Sequence, residues 1–288
     1  MPFLLRPCTT KEELFDRDEE IKEILRAIEK SNVIVIEGPR KSGKTSIAMV
    51  MLDILRNRGI RARYIDMEKD IVNGVESEDL EIIVLDSIEN LRVLRKKIYP
   101  LLPEIKDRNT IFILVDPPEN SIELLKRVTR KRIESITTIA INEWDKDRGI
   151  SYIEQGLKEC GVSYSHNELR EVIDTIGTLP GWLAIYGYQR CSSNLDHSKA
   201  LEETIRIATE IAKKDLEQIL SRKSPQLRRV IRMLVKGARW YEMLRETTIS
   251  PYTLNNFLKN LKRLYIVREE GGIHRIVDPI YSLAALGF

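Results

Sequence analysis

An apolar run that leads directly into a glycine-bounded loop constrains this chain more than any other feature of its sequence. Residues 33–37 read VIVIE, residues 38–45 read GPRKSGKT, and apolar side chains then recur at helical spacing over residues 47–55. The loop has the pattern G-x-x-x-x-G-K-T, and the strand before it and the helix after it are the context that this pattern requires. A glycine-rich surface turn is the weaker alternative. The sequence therefore predicts a phosphate-binding loop.

The residue types of the loop predict which atoms hold a nucleotide. Gly38 and Gly43 permit a backbone in which successive N–H groups turn inward around a phosphate, and the following helix adds its positive end. Lys44 is expected to reach the β- and γ-phosphates and to take part in catalysis, while the Thr45 hydroxyl binds magnesium. The predicted nucleotide-binding residues of the loop are Gly38, Pro39, Arg40, Lys41, Ser42, Gly43, Lys44, Thr45 and Ser46.

A carboxylate at the end of another buried strand completes a magnesium site of this kind. Asp86 follows four apolar residues in the segment IIVLD, and we assign it as a metal ligand and a catalytic residue. The alternative is that Asp86 caps the next helix. Asp66 and Asp116 also end predicted strands and are weaker candidates for the same ligand.

The position that usually activates water carries a different residue in this chain. Many ATPases with this loop have a glutamate directly after the magnesium aspartate, whereas this chain has Ser87 there, and the nearest acid is Glu89. Glu89 is the catalytic candidate, with an ordinary first-turn glutamate favoured by the helix dipole as an equal alternative. Hydrolysis is expected to be slow or to need a partner. ATP is the expected nucleotide, because the N/T-K-x-D pattern that reads guanine is missing.

Short apolar strands that alternate with helices predict the fold class. The strands are predicted at residues 33–37, 60–66, 81–86, 110–116 and 136–141. They indicate a parallel five-stranded sheet in a three-layer α/β domain, the P-loop NTPase architecture, which we place at residues 1–144. Strand patterns vanish in residues 145–221, where an all-helical lid domain is expected.

Residues 222–288 have the pattern of a winged helix-turn-helix domain, with three helices and then a hairpin around Gly271-Gly272. This segment carries thirteen Lys/Arg against five Asp/Glu, whereas the rest carries 34 basic and 39 acidic residues. The imbalance favours an anionic partner, and a basic solvated surface is the alternative. Outward-facing polar residues on the third helix and the wing are candidates for contacts with double-stranded DNA. These candidates are Asn255, Asn256, Lys259, Lys262, Arg263 and Arg275.

Composition argues against several other classes of protein. No apolar run approaches the roughly 18–20 residues of a membrane span, and the first residues lack the pattern of a signal peptide, so no membrane partner is expected. The three cysteines, Cys8, Cys160 and Cys191, and three isolated histidines indicate neither a disulfide framework nor a zinc site. A reduced, cytoplasmic setting is the expectation.

Six segments in chain order carry a family resemblance: LFDRDEEIKEI, GPRKSGKTSI, YIDME, VLDSIENL, GTLPGWLAIYG and HRIVDPIYSL. Together they resemble the archaeal ATPase family of the STAND branch, whose P-loop domains are relatives of AAA+ and origin-recognition ATPases. The resemblance spans nearly the whole chain. It implies an α/β domain that binds ATP and magnesium, a helical lid and a winged helix.

The resemblance also implies roles for residues outside the loop. Phe15 and Arg17 match a segment that lies near the adenine in that family, and Pro180 matches a lid motif that approaches the nucleotide. A helix break between two lid helices is a compatible role for Pro180. The chain departs from the family at Ser87 and at the segment DPPEN after the fourth strand, where a small polar residue is usual. A third departure is the short segment between the second and third strands, about residues 67–80, where such proteins often carry more helix. All three departures bear on turnover more than on ATP binding.

Three functions are compatible with these features, the third of them a nucleotide-binding module without turnover. The first is a nucleotide-dependent switch that binds double-stranded DNA through the winged helix. The second is a signalling or chaperone-like ATPase whose winged helix and lid bind another protein. An arginine finger acting between subunits would require a nucleotide-dependent homo-oligomer, and Arg130, Arg132 and Arg148 are its candidates.

Overall fold

The computed structural model describes residues 2–69, 71–74, 80–88, 91–104, 110–130, 133–220 and 225–288. The chain forms two compact units. The first contains Arg6–Gly38 and Ser42–Asn142, and the second contains Met1–Leu5, Pro39–Lys41 and Glu143–Phe288. The predicted ranges 145–221 and 222–288 thus belong to one unit. Their division into a lid domain and a winged-helix domain stays a prediction.

A six-stranded sheet forms the centre of the first unit, with the strand order β3-β2-β4-β5-β1-β6. Its strands are β1 (Val33–Glu37), β2 (Ala62–Asp66), β3 (Ile71–Gly74), β4 (Ile82–Asp86), β5 (Ile111–Val115) and β6 (Ile136–Ala140). The five predicted strands are all present and pair in parallel, which confirms the predicted sheet. The structure adds β3, an antiparallel edge strand on β2 in the short segment before the third predicted strand.

Helices cover both faces of this sheet. They are α1 (Asp18–Ile28), α2 (Lys44–Asn57), α3 (Leu91–Ile98) and α4 (Ser121–Thr129). Alternate residues of β1 enter different apolar clusters: Ile34 and Ile36 pack with α1 and α2, whereas Val33 and Val35 pack with α3 and α4. A strand buried on both faces reads as a continuous apolar run, which explains the uninterrupted VIVI of the sequence. The three-layer architecture is therefore confirmed.

Between residues 143 and 220, the described part of the second unit forms the helices α5 (Lys146–Glu159), α6 (His166–Ile176), α7 (Pro180–Cys191) and α8 (His197–Leu220). The aromatic ring of Phe3 fills the space beside two helical glycines. A Cβ atom added at Gly156 or at Gly187 would lie 2.2 Å from that ring. Small residues at these two positions therefore let Phe3 enter the core of the second unit, where it is fully buried.

Cys160 and Cys191 form a disulfide bond, with their Cα atoms 5.8 Å apart. The expectation that the chain holds no disulfide is therefore wrong. Cys160 caps the C-terminal end of α5 and Cys191 is the last residue of α7, so the pairing is a product of helix packing that cysteine spacing does not reveal. Cys8 is a free thiol.

From residue 225 onward, the described part of the second unit forms four helices and a three-stranded sheet in the order β7-β9-β8. These elements are α9 (Gln226–Lys236), β7 (Ala238–Arg239), α10 (Trp240–Glu246), α11 (Pro251–Arg263), β8 (Val267–Glu270), β9 (Ile273–Ile276) and α12 (Pro279–Leu286). The three predicted helices and the hairpin are present. Two elements are additional to the predicted ones: the short strand β7 and the helix α12.

No helix in the described ranges is long and apolar enough to cross a bilayer.

The disulfide predicts a redox-dependent stability. The bond joins two residues that are 31 positions apart in the sequence. Loss of a cross-link across a loop of that size lowers the free energy of unfolding by about 3–4 kcal/mol. We expect a reducing agent to lower the melting temperature of the wild-type protein. The double substitution Cys160→Ser/Cys191→Ser should melt at the lower temperature in both conditions, while Cys8→Ser should behave like wild type. Identical wild-type melting with and without reductant would contradict this prediction.

Candidate functional site

The loop between β1 and α2 leaves the sheet through a glycine that no larger residue could replace. Gly38 has a φ of 154°, and a Cβ atom built on it would lie 2.1 Å from the carbonyl oxygen of Ile141. Gly43, with a φ of 94°, immediately precedes the helix that begins at Lys44. Its left-handed conformation favours glycine, although the space around it is open. The two glycines are thus required for different reasons, one by close approach and the other by backbone conformation.

A buried arginine, Arg17, forms a hydrogen bond with the backbone of the phosphate loop. One Arg17 amino group donates to the carbonyl oxygens of Ser42 and Asn142, at 3.0 and 3.2 Å, and the other pairs with Glu20 at 2.5 Å. Arg17 is only 3% exposed. The resemblance implied a role near the adenine, and the structure places the guanidinium directly against the phosphate loop. The Ser42 hydroxyl is buried with no hydrogen-bond partner in the described part of the chain, which suits a loop whose polar groups face a phosphate.

The Lys44 ammonium group lies between two oxygen atoms of the first unit. It donates to the carbonyl oxygen of Gly38 and contacts a carboxylate oxygen of Asp116, both at 2.9 Å. Gly38 in turn donates its backbone N–H to Asp116. Burial raises the pKa of Asp116, and the charge of Lys44 opposes that shift. Asp116, a weak candidate from sequence, is therefore an integral part of the site.

The predicted magnesium ligands lie together. The Thr45 hydroxyl bonds to the carboxylate of Asp86, which also accepts from the hydroxyl of Tyr64 at 2.9 Å and from the backbone of Ser87 at 2.6 Å. Burial raises the pKa of Asp86, and the hydrogen bond from Thr45 is the largest influence against it. Asp66 instead accepts two backbone N–H groups in the turn after β2.

No group of three or more His, Cys, Asp or Glu side chains could hold a metal within the described residues. The candidate pair is one hydroxyl and one carboxylate, a donor set of hard oxygen atoms that suits Mg²⁺ with water and phosphate as its other ligands.

Two neighbouring strands leave the sheet beside the loop through residues of unusual backbone conformation. Ser87, directly after β4, has a φ of 56°, and Asp116, directly after β5, has a φ of 46°. Left-handed conformations at residues other than glycine cost energy, and they concentrate at functional sites. Glu89, the candidate for water activation, lies outside the described residues. The structure therefore neither places it at the loop nor away from it.

The remaining predicted nucleotide contacts have varied surroundings. The Ser46 hydroxyl, in the first turn of α2, accepts the backbone N–H of Cys8 at 3.1 Å. Phe15 is half-buried just before α1. Pro180 is the first residue of α7, and its neighbour Gly181 donates a backbone hydrogen bond to the carbonyl oxygen of Lys41 at 3.0 Å. Pro180 thus begins a helix whose first turn meets the loop tip.

Within the second unit, Arg40 is tied to two helices. Its guanidinium pairs with Asp215 of α8 at 2.8 Å, and the other carboxylate oxygen of Asp215 accepts the hydroxyl of Tyr281 of α12 at 2.6 Å. Tyr281 is buried, and burial together with the Asp215 charge raises its pKa.

Lys41 begins a second set of contacts that reaches the same helix. Its ammonium group lies 5.5 Å from the ring centroid of Trp182, and the indole N–H of Trp182 donates to Asp278 at 3.0 Å. The other oxygen of Asp278 accepts the backbone N–H of Tyr281 at 2.8 Å. The two consecutive loop residues are therefore joined to α12 by separate routes that meet at Tyr281.

Sequence reasoning missed most of this network. Asp278-Pro279 lies in the family segment HRIVDPIYSL, and an aspartate before a proline and an apolar run is a recognisable helix start. Trp182 lies in another of the six family segments, but without a predicted role. Asp215 gave no signal, because it is one of many charged residues on a long helix.

The six candidates for DNA contact occupy different environments. Asn256 and Lys259 are exposed on α11. Asn255 accepts the indole N–H of Trp240 at 2.7 Å, and Lys262 forms an ion pair with Glu269 of β8. Two further candidates also have neighbours: Arg263 with Asn260 at 3.3 Å, and Arg275 with the carbonyl oxygen of Lys236 at 3.4 Å.

Comparison with known proteins supports the fold. No protein-family profile and no curated protein sequence matches the chain. A Walker-type ATPase of Pyrococcus abyssi has a similar structure, with a TM-score of 0.79 at 19% identity, over 99% of this chain and 100% of that one. The ADP form of the ORC2 protein of Aeropyrum pernix has a TM-score of 0.52 at 12% identity, over 98% and 97% of the two chains. The chain has the fold of a P-loop ATPase.

The close approach at Gly38 predicts an unequal effect of two alanine substitutions. Gly38→Ala forces a Cβ against a backbone carbonyl and should lower the unfolding free energy by about 3 kcal/mol or more. Gly59→Ala is the control, because Gly59 also has a positive φ but open space, so we expect a loss of only about 1 kcal/mol. Chemical denaturation measures both. Equal losses would contradict the steric explanation.

The carboxyl of Asp278 predicts a pH-dependent stability. Burial raises its pKa from 3.8 to about 6, so the folded protein binds this proton more readily than the unfolded chain. The cost of ionising this carboxyl in the folded state builds up between the two pKa values and is nearly complete above about pH 6, so stability from this group should rise by about 1 kcal/mol as the pH falls from 8 to 5. Asp278→Asn should lack that increment when unfolding is measured at both pH values. A variant with the wild-type pH dependence would contradict the assignment.

Proposed function

We propose that this chain is a molecular switch that binds ATP with magnesium and hydrolyses it slowly or with the help of a partner. The observation that carries this proposal is the hydrogen bond between Asp86 and Thr45, the residue that follows Lys44 in the loop. A helix-start hydroxyl and a strand-end carboxylate are the two ligand types with which P-loop proteins hold magnesium on a nucleotide.

The residues of the first unit fit a bound nucleotide. The backbone around Gly38 and Gly43 and the buried Ser42 hydroxyl supply hydrogen-bond donors for phosphate oxygens, and Lys44 supplies positive charge. Thr45 and Asp86 would hold magnesium, which neutralises phosphate charge when bound. Arg17 keeps the loop in this shape through the Ser42 carbonyl.

Slow turnover is proposed because Ser87, the residue after Asp86, has no carboxylate with which to activate water. Glu89 remains the proposed substitute. A Glu89→Gln variant with unchanged hydrolysis would remove that residue from the mechanism.

The arrangement in the second unit supports a switch. Arg40 and Lys41 belong to the phosphate loop, and their contacts reach α12 through Asp215 and Trp182. We propose that phosphate binding alters these contacts and so changes the free energy that holds α12 in its present position. A ligand shifts such an equilibrium only through a difference in affinity between the two arrangements, and these contacts are where that difference would arise.

We further propose that the chain belongs to the archaeal ATPase family of the STAND branch and acts in the cytoplasm, in a nucleotide-dependent homo-oligomer. The six family segments and the P-loop ATPase fold support the family. The similar Aeropyrum protein was solved in an ADP form, which accords with adenine nucleotide binding here.

The proposed partner of the basic C-terminal region is double-stranded DNA. Its net charge of +8 from residue 222 onward and the exposed Asn256 and Lys259 on α11 support this choice. A protein partner is the second candidate, because Tyr241 and Tyr252 are 56% and 76% exposed in the same region, and exposed aromatic side chains are common at protein interfaces.

Lys44→Ala tests nucleotide binding. Loss of a charged contact with phosphate should weaken ATP binding by roughly a hundredfold or more. Calorimetric titration with Mg-ATP measures the affinity. Lys22→Ala, which removes an exposed lysine on α1, is the control and should bind as wild type does. Unchanged affinity in Lys44→Ala would overturn the central proposal.

The salt dependence of binding to random duplex DNA separates the two partners. We expect binding to weaken steeply with salt, and Lys259→Glu/Lys262→Glu/Arg263→Glu to abolish it at low salt. The control Lys146→Glu/Lys158→Glu/Lys199→Glu changes as many charges on exposed lysines of α5 and α8 and should retain binding. No binding by the wild-type protein at low salt would leave the protein partner as the better proposal.

A further inference from the structure

The carboxylate of Asp116 contacts two groups of the phosphate loop. It contacts the Lys44 ammonium group at 2.9 Å and accepts the backbone N–H of Gly38. A lysine and a loop amide are the donors that this type of loop offers to a nucleotide. The first unit therefore places an anion of its own among the groups that would receive the terminal phosphate.

The position of Asp116 follows from the sheet. β5 lies between β1 and β4, with Val115 opposite Ile36, so the next residue of β5 emerges beside the start of the loop. The backbone N–H of Asp116 still bonds to the Ile36 carbonyl at 2.8 Å, and its φ of 46° then turns the chain out of the sheet. Strand pairing and this turn hold the carboxylate over Gly38.

The charge of Asp116 depends on Lys44. Burial disfavours the ionised carboxylate, the nearby Asp86 adds repulsion, and Lys44 is the largest favourable influence. A terminal phosphate that takes Lys44 as its own partner removes that support and brings further negative charge close to Asp116. A nucleoside diphosphate lacks the terminal phosphate group, so it meets less repulsion from the carboxylate of Asp116.

We propose that Asp116 is a specificity-determining residue, an internal anion that lowers the affinity of the loop for a nucleoside triphosphate relative to the diphosphate. The inference rests on the proposed nucleotide binding and adds the direction of the preference. Loading of the triphosphate requires Asp116 to leave Lys44, so this ion pair is the contact that separates the two nucleotide states of the switch.

The test measures two affinities, for Mg-ADP and for a non-hydrolysable Mg-ATP analogue, by calorimetry on the full chain. The key variant is Asp116→Asn, which keeps the size of the side chain, loses the charge and tolerates a left-handed backbone. We expect the analogue to bind roughly tenfold tighter or more, with a smaller gain for ADP. Asp116→Glu keeps the charge and should keep the wild-type direction of the preference.

Asp53→Asn, a substitution on α2 in which the neutralised acid bonds to Asn57, is the matched control and should leave both affinities unchanged. A second neutral variant, Asp116→Ser, should shift the preference in the same direction as Asp116→Asn. Melting curves establish that each variant is folded.

An unchanged ratio of the two affinities in both neutral variants would overturn the inference. An unchanged ratio of affinities together with a loss of ATP hydrolysis would assign Asp116 to catalysis, and this outcome would also overturn the inference. If the wild-type protein bound neither nucleotide, the proposed function would fail and this inference with it, an outcome distinct from binding with an unaltered ratio.

Discussion

The parallel pairing of β1 with β5 on one side and β6 on the other sets the position of every group at the phosphate loop in the first unit. Because parallel strands present their carboxyl ends at one edge, the chain leaves β1 as Gly38 with Ile141 on one side and Asp116 on the other. The first neighbour leaves no room for a side chain, and the second supplies a carboxylate. Hydrogen bonds between strands thus determine both the shape and the charge of the site.

Acidic side chains crowd this edge of the sheet. Asp86 and Asp116 both have a raised pKa because they are buried, and each is offset by a different kind of partner: hydroxyl and amide groups for Asp86, and an ammonium group for Asp116. Their separate partners suggest separate tasks. A carboxylate bonded to neutral groups can receive a cation, whereas one already paired with lysine competes with any incoming anion.

Local sequence patterns predicted the elements of the chain and the ends of the strands well, because apolar runs and glycine positions reflect nearby constraints. The loop, the Thr45–Asp86 pair and the five parallel strands could all be read in this way. Contacts between distant segments could not. The Cys160–Cys191 bond, the support of Ser42 by Arg17 and the contact of Asp116 with Lys44 arise from packing and strand order, which no single segment encodes.

The ion pair between Arg40 and Asp215 has a consequence for how sequences of this kind can diverge. The two residues are far apart in the chain, yet each satisfies the other, and Tyr281 bonds to the same carboxylate. Loss of either charge alone leaves its partner without compensation in a half-buried place, so the two positions should change together over evolution. Co-variation of a loop residue with a residue of α8 would then be a record of this contact, readable without any structure.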